Sequence, residues 1–165
     1  MALVGSGFIN SERAYPIAMT FARQNPSDPY NLQRFVEAQV RCYERVLKEL
    51  GDGHKKSHWM WFIFPQIRGL GRTDMANRYA ISSLEEAEAY LRHLILGPRL
   101  RHCTGLVLQV EGRSIESILG KPDDLKFRSS MTLFAGTSLD NKIFKDALQK
   151  YFDGEQDQLT IDLLK

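Results

Sequence analysis

Apolar residues recur at steps of three and four along most of this 165-residue chain, and no other feature constrains its fold as strongly. One helix is predicted to begin after Asn31, as its N-cap, and to end at Gly51. Because alternation of period two is nearly absent, we predict an all-α, irregular multihelical single domain with at most a minor strand pair. Further helices are predicted from the capping box at 83–86 to the Gly97–Pro98 pair, from that pair to Gly112, and over residues 114–119, 122–134, 141–152 and 157–164.

The chain is predicted to consist of a leading arm and one helical domain. Residues 1–27 are expected to be an N-terminal arm or extension, because turn-forming residues interrupt them and no helical period is sustained. They lack the basic and apolar regions of a secretory signal, while Arg13 and Arg23 leave organelle targeting as an alternative. Residues 28–165 are predicted to be a single helical domain, since a chain of this length is typical of one compact unit.

Composition and charge exclude several classes of protein. Hydrophobic residues make up 43% of the chain and charged residues 25%, which is typical of a globular protein and not of a disordered one. No apolar run approaches the roughly 20 residues that span a membrane. The net charge of +2 is too small to favour binding to duplex nucleic acid. Cys42 and Cys103 are predicted to be buried free thiols, which favours a reducing compartment and hence a soluble, cytoplasmic protein.

The densest aromatic cluster lies between residues 58 and 72, and it predicts a small-ligand pocket. Both tryptophans of the chain occur here, two residues apart. An aromatic wall beside a few polar groups is the usual construction of such pockets, where a base or sugar stacks on tryptophan and a cation holds a phosphate. The alternative is that these aromatic residues are simply core, because aromatic side chains dominate core packing. The residues expected to bind the ligand are Lys56, Trp59, Trp61, Gln66 and Arg72.

Two further segments are predicted to contribute to the same pocket. On the helix that begins near Pro122, residues four and five positions after Asp124 share roughly one face with it. Tyr79 follows the glycine-rich loop and is expected either to line the pocket or to lie in the core. For the helix, the alternative is capping and surface ion pairing. If this helix contributes to the pocket, four of its side chains would contact the bound anion: Lys126, Arg128, Ser129 and Ser130.

The sequence carries no standard catalytic or metal-binding signature. It has no GxGxxG after a strand, no P-loop, no HExxH, no GxSxG and no Cys/His spacing suited to zinc. If the domain is a hydrolase, His58 and Asp124 are the candidates for general acid or general base. We expect no metal held by the protein itself, and any magnesium would arrive with the ligand.

Several separate motifs resemble one protein family across residues 28–165. They are HWMWFIFPQIRGLG, RYAISSLEEAEAYL, GPRLRHC, KFRSSMTLFA and the spaced residues of FDGEQDQLT. On these motifs the chain resembles the domain-of-unknown-function family 1810, small proteins of bacteria and fungi that are sometimes mislabelled calpastatin. The resemblance implies a compact, mainly helical cytoplasmic domain with no assigned activity. Nothing in the chain resembles a disordered protease-inhibitor repeat, so the calpastatin label does not carry over.

The carboxy-terminal half is also similar to the NADAR family, which is linked to ADP-ribose and NAD chemistry. The similarity lies in the helix with Leu125-Lys-Phe127 and in a later helix that ends near Phe152-Asp-Gly154. It implies a class of ligand, and no catalytic residue can be matched. We therefore expect a domain that binds, or hydrolyses, a small nucleotide- or ADP-ribose-like anion. The alternative is a non-catalytic protein-interaction domain in which the aromatic segment is core or a partner patch. Nucleic-acid binding ranks last, because the net charge is close to neutral.

Overall fold

The computed structural model describes residues 26–165 and shows ten helices in them. The all-α prediction is confirmed, since this part of the chain has no sheet and only one isolated parallel bridge, between Ile67 and Ile81. The predicted arm, residues 1–27, lies almost entirely outside the described residues, so its boundary stays a prediction. The helices are α1 (Gln33–Val40), α2 (Tyr43–Gly51), α3 (Met60–Ile63), α4 (Asp74–Arg78), α5 (Leu84–Arg92), α6 (Leu96–Gln109), α7 (Ile115–Leu119), α8 (Asp123–Ala135), α9 (Lys142–Phe152) and α10 (Gln158–Leu163). None of these described helices combines the length and apolar character needed to cross a membrane.

The prediction of one helix after Asn31 is wrong, because two helices occupy that stretch. A turn at residues 41–42 separates α1 from α2. The group that caps α1 is Asp28, whose carboxylate accepts the backbone N–H groups of Leu32 at 2.7 Å and Gln33 at 3.0 Å. Asn31 instead has a left-handed φ of 51°. An upstream carboxylate therefore satisfies the first N–H groups, a task that the sequence pattern assigned to the adjacent side chain.

Most other helix starts agree with the sequence. Ser83, Ser114 and Asp157 each cap a helix by accepting the backbone N–H three residues ahead, at 3.0–3.2 Å. The joint between α5 and α6 lies at residues 93–95, so the Gly97–Pro98 pair does not separate the two helices. The pair lies in the first turn of α6, where a proline costs little because those N–H groups have no partner within the helix.

The aromatic segment contains α3 and is mostly core. Trp59, Phe62 and Phe64 are buried, and Phe64 packs edge-on against Phe127 of α8 with the ring centroids 4.9 Å apart. α8 is the central helix: it contacts α5, α7, α9 and α10, and nine of its 13 residues are buried. This packing places the first turn of α8 beside residues 55–61.

A buried amide joins four of the helices. Gln39, which is 1% exposed, donates to the Phe62 carbonyl at 2.7 Å and to the Tyr90 hydroxyl oxygen at 3.1 Å. Its own oxygen accepts a hydrogen bond from Arg99 at 3.3 Å. Because a buried amide costs free energy unless its polar atoms are bonded, these contacts specify how α1, α3, α5 and α6 meet.

Two glycines of α6 differ in how closely a neighbouring helix approaches them, α5 at Gly97 and α9 at Gly105. A Cβ on Gly97 would lie 2.0 Å from the backbone oxygen of Leu91, whereas one on Gly105 would meet Ile143 at an ordinary 3.8 Å. Gly97→Ala should lower the free energy of unfolding by roughly 1–3 kcal/mol, because backbone must move to admit the methyl group. Gly105→Ala should raise it by up to about 1 kcal/mol, since alanine favours a helix interior. Urea unfolding measures both changes, and equal effects would contradict the close approach at Gly97.

Candidate functional site

A cavity of about 320 Å³ lies between the loop that precedes α3 and the turn that joins α7 to α8. Three residues predicted from the sequence, His58, Trp61 and Lys126, meet here. The cavity therefore combines part of the aromatic segment with the first turn of α8, although the two are distant in the chain. Its lining is basic, aromatic and apolar, and consists of Lys55, His58, Met60, Trp61, Leu119, Lys121, Pro122, Asp123 and Lys126.

Backbone contacts hold the two walls of this cavity together. The N–H of Lys55 donates to the Ile118 carbonyl of α7 at 2.8 Å. Gly120 follows α7 with a φ of 78°, a left-handed conformation that glycine adopts without strain. The chain then enters α8, and the N–H of Asp124 donates back to the Gly120 carbonyl at 2.9 Å. Loop and turn thereby present Lys55 and Lys121 to the same space.

Asp123 joins two of the lysines that line the cavity. Its carboxylate oxygens lie 2.8 Å from Nζ of Lys55 and 3.3 Å from Nζ of Lys126. The Lys55 side chain is only 7% exposed, and it also donates to the Ser57 carbonyl at 2.7 Å. A buried ammonium group is tolerated when partners of this kind satisfy it. Lys55 is thus fixed in the wall, while the Lys126 side chain is 28% exposed.

The two tryptophans have different environments. Trp59 is fully buried, and its indole N–H donates to the Glu49 carboxylate at 2.9 Å. Trp61 is half-buried and lines the cavity, with Nζ of Lys126 5.5 Å from its ring centroid. His58 is exposed and lines the same cavity. Trp61 can therefore offer a ring face, and His58 a ring nitrogen, to a bound molecule.

The cavity is electropositive. Lys55, Lys121 and Lys126 contribute three positive charges, against the carboxylate of Asp123 among its lining residues. Lys121 also lies 3.2 Å from Glu116, but both side chains are more than half exposed, so this pair contributes little. In a concave site the excess positive charge attracts anions more strongly than it would on an open surface.

Glu49 of α2 supports the loop that forms one wall of the cavity. Its buried carboxylate accepts four hydrogen bonds: from the backbone N–H of Lys56 at 2.9 Å, from the N–H and hydroxyl of Ser57 at 3.1 and 2.6 Å, and from the indole of Trp59 at 2.9 Å. Burial by itself raises the pKa of Glu49, but these bonds outweigh it and lower the pKa to about 2. The ionised carboxylate therefore holds the loop in one conformation.

Two aromatic residues predicted to bind ligand belong to the core instead. Trp59 is covered on all sides, as described above, and cannot offer its ring face to a ligand. Tyr79 is 7% exposed, and its ring packs against Phe35 at 5.7 Å and Phe62 at 5.3 Å between centroids. For both residues the core interpretation agrees with their burial.

Two predicted residues of α8 connect this helix to the segment before α10. Arg128 donates to the backbone carbonyl groups of Glu155 and Gln156, both at 3.0 Å. The hydroxyl of Ser129 lies 3.2 Å from the carboxylate of Asp157, which caps α10. These two side chains stabilise the carboxy-terminal segment, and neither lines the cavity.

The predicted acid or base Asp124 lies in the core and not in the cavity lining. It is 7% exposed, and Ser130 on the same helix is fully buried. One carboxylate oxygen of Asp124 and the hydroxyl of Ser130 have no hydrogen-bond partner within residues 26–165. Of the two predicted catalytic residues, therefore, only His58 lies at the cavity. In the same range, no three His, Cys, Asp or Glu side chains come together in a way that could hold a metal ion.

The remaining predicted residues occupy loops outside the cavity lining. Lys56 is exposed, and its backbone N–H is bound by Glu49. Gln66 is half-buried, and its backbone carbonyl accepts a hydrogen bond from the N–H of Ile81 at 2.8 Å. Arg72 is exposed in the loop before α4.

The sequence prediction omits Lys55, Lys121 and Asp123, which line the cavity. A signal for them exists, since residues 51–57 and 120–124 each combine turn-forming residues with several charges. The sequence does not show that these two turns meet, because their contact depends on α7 packing against α8.

The comparisons with known proteins agree with this mainly helical fold. A family model described as "Protein of unknown function (DUF1810)" matches residues 29–164. The chain belongs to this family. Among solved structures, it is similar to the crystal structure of the conserved hypothetical protein Rv1873 from Mycobacterium tuberculosis, with 59% sequence identity and a TM-score of 0.82 over 83% of this chain and 98% of that one. No curated protein matches the chain.

The support that Glu49 provides in this DUF1810 member predicts a pH-dependent stability. Its pKa lies below the 4.5 of a free glutamate, so its contribution is fully present above pH 4.5 and is lost as the pH falls toward 2. Glu49→Gln should lower the free energy of unfolding at pH 7 by about 3 kcal/mol. The difference from wild type should shrink by about 2 kcal/mol at pH 3, because the wild-type carboxyl group is then almost fully protonated in the unfolded chain and still mostly ionised in the folded one.

Urea unfolding at the two pH values measures this difference. Glu44→Gln, which removes an exposed carboxylate of the same helix, is the matched control. It should change the stability by less than about 0.5 kcal/mol. A pH-independent difference between Glu49→Gln and wild type would show that the carboxylate is not the stabilising group.

Proposed function

We propose that this protein binds a small phosphate-bearing anion, of nucleotide or ADP-ribose type, in the cavity lined by Lys55, Trp61 and Lys126. The observation that carries the proposal is the convergence of three lysines, a histidine and a half-buried tryptophan on one concave site. Each of these groups suits a different part of such a ligand.

The lysines suit a phosphate group. Ammonium groups donate charge-assisted hydrogen bonds to phosphate oxygens, and such bonds are about twice as strong as neutral ones. Lys55 is fixed by Asp123, so its charge is in place before a ligand arrives, and its burial reduces screening by salt. Lys121 and Lys126 are more exposed and can turn toward the ligand.

Trp61 suits a base or another flat ring. Stacking of a base on an aromatic side chain contributes about 1–3 kcal/mol, and it tolerates different bases because each has a π face. The cavity volume of about 320 Å³ lies at the small end of the roughly 300–1,000 Å³ common for ligand sites. The size supports a mononucleotide, or one half of an ADP-ribose, as the enclosed group.

His58 is the residue that would carry a hydrolytic step. Its imidazole lines the cavity and is exposed, so it can accept a proton from water or donate one to a leaving oxygen. Asp123 is already engaged by two lysines and is less suited to that task. We also propose a cytoplasmic location, which the free thiols of Cys42 and Cys103, both buried, support.

Two exposed apolar side chains support the alternative function, a protein-interaction domain. Leu94 is 91% exposed and its neighbour Ile95 is 39% exposed, at the joint between α5 and α6. Exposed apolar side chains of this kind can contact a partner, although a pair is far smaller than a typical interaction patch. The buried state of most of the aromatic segment favours its role as core over its role as a partner patch.

The proposal predicts that AMP or ADP-ribose binds the protein and that the cavity residues determine the affinity. Lys126→Gln and Trp61→Leu should each raise Kd roughly tenfold or more, because one removes a charge and the other a stacking surface. Isothermal titration calorimetry measures Kd directly. The matched control is Lys142→Gln, which removes an exposed lysine of α9 and should bind as wild type does.

Thermal unfolding of the free variants checks that they fold. Absence of binding by nucleotides, ADP-ribose and sugar phosphates would contradict the proposal and favour the interaction domain. An equal loss of affinity in Lys142→Gln would show that the effect is one of overall charge and not of this cavity.

A further inference from the structure

A second cavity, of about 330 Å³, lies where the segment before α1 meets residues 78–82. It shares no lining residue with the first cavity, the lysine cavity, which is lined by Lys55, Trp61, Lys121 and Lys126. The two are therefore separate sites. Arginine is the most frequent residue in its lining, which consists of Pro29, Tyr30, Asn31, Arg34, Arg68, Arg78, Ser82 and Glu86.

Arg34 holds the frame of this second cavity. Its Nε donates to the Arg78 carbonyl at 2.9 Å, its Nη2 to the Ala80 carbonyl at 2.9 Å, and its Nη1 to the Tyr30 carbonyl at 2.6 Å. Nη2 also lies 2.8 Å from the carboxylate of Glu86, whose side chain is 3% exposed. Arg34 therefore uses its donors on the protein itself and attaches the start of α1 to the backbone that carries Arg78.

Arg68 is attached to the same backbone segment from the other direction. Its N–H donates to the Ile81 carbonyl at 2.8 Å, next to the parallel bridge between Ile67 and Ile81. Hydrogen bonds thus fix the backbone at both arginines: the N–H of Arg68 donates to Ile81, and the carbonyl of Arg78 accepts from Arg34. A ligand that binds both side chains would not have to order the backbone first, which lowers the cost of binding.

The charges of these arginines are not all balanced. Glu86 balances Arg34, but the exposed side chains of Arg68 and Arg78 have no carboxylate within salt-bridge distance among residues 26–165. Arg68 and Arg78, neither of which has a carboxylate partner in this range, therefore line one concave site, and the Arg78 guanidinium also lies 5.5 Å from the ring centroid of Tyr79. A guanidinium group presents a planar fork of donors that fits two oxygens of a phosphate at once.

We propose that Arg68 and Arg78 form a second binding site, for a tetrahedral dianion such as phosphate or a phosphomonoester. The two guanidinium charges match the two negative charges of the ligand. Tyr30 and Asn31 line the same cavity and would contact the substituent of an ester. This site does not depend on the lysine cavity, and either can bind without the other.

Titration of the ¹⁵N-labelled protein with inorganic phosphate, followed by NMR, tests this site. The Nε–Hε signals of Arg68 and Arg78 should shift and saturate. In the double variant Arg68→Gln/Arg78→Gln the saturable binding at this site should weaken roughly tenfold or more, because both charges are removed. The matched control, Arg45→Gln, removes another exposed arginine, on α2 and outside both cavities, and should bind as wild type does.

A second titration, with ribose 5-phosphate, separates the two sources of the anion. Tighter binding than that of phosphate assigns the site to a phosphomonoester, and equal binding assigns it to free phosphate. Shifts that stay linear in concentration, or that persist unchanged in the double variant, would overturn the proposal. The indole N–H signal of Trp61 reports on the lysine cavity in the same spectra, so failure of one site is distinguishable from failure of the other.

Discussion

The buried carboxylate of Glu49 is the interaction on which the loop side of the candidate site depends. It binds the backbone of residues 56 and 57 and the indole of Trp59 at the same time, so it joins α2, an irregular loop and the aromatic segment. An ionised carboxylate can be buried at moderate cost only when donors surround it, as they do here. Once this loop is held, Lys55 reaches Ile118 and Asp123, and the lysine cavity exists as a defined space.

Buried ion pairs extend the same principle to other irregular parts of the chain. Lys55 with Asp123, and Arg34 with Glu86, each connect a loop or helix start to a segment far away in the sequence. Such pairs contribute little net stability compared with apolar packing, because removing charges from water is costly. They do specify geometry, since breaking one would leave a buried charge without a partner. In a fold of short helices joined by irregular turns, this specification decides where the functional side chains lie.

Local signals predicted much of the helical structure and only part of the site. Caps at Ser83, Ser114 and Asp157 follow from one residue and its neighbours, so the sequence was sufficient for them. The turn at 41–42 was missed because apolar spacing continues across it and the cap of α1 comes from Asp28. His58, Trp61 and Lys126 line the cavity as the aromatic and charged pattern suggested, whereas other predicted residues pack into the core or bind the carboxy-terminal segment.

The sequence by itself determined the fold class, most helix starts and the family, because apolar period, capping residues and motifs are properties of neighbours along the chain. It also indicated that residues 58–66 are unusual. Only the tertiary structure decided that Trp59 is core while Trp61 lines a cavity, and that Lys55, Lys121 and Asp123 join it. The physical reason is that burial and charge pairing depend on which segments meet. Two turns some 65 residues apart meet here through the packing of α7 against α8, the backbone hydrogen bond between Lys55 and Ile118, and the ion pair of Lys55 with Asp123.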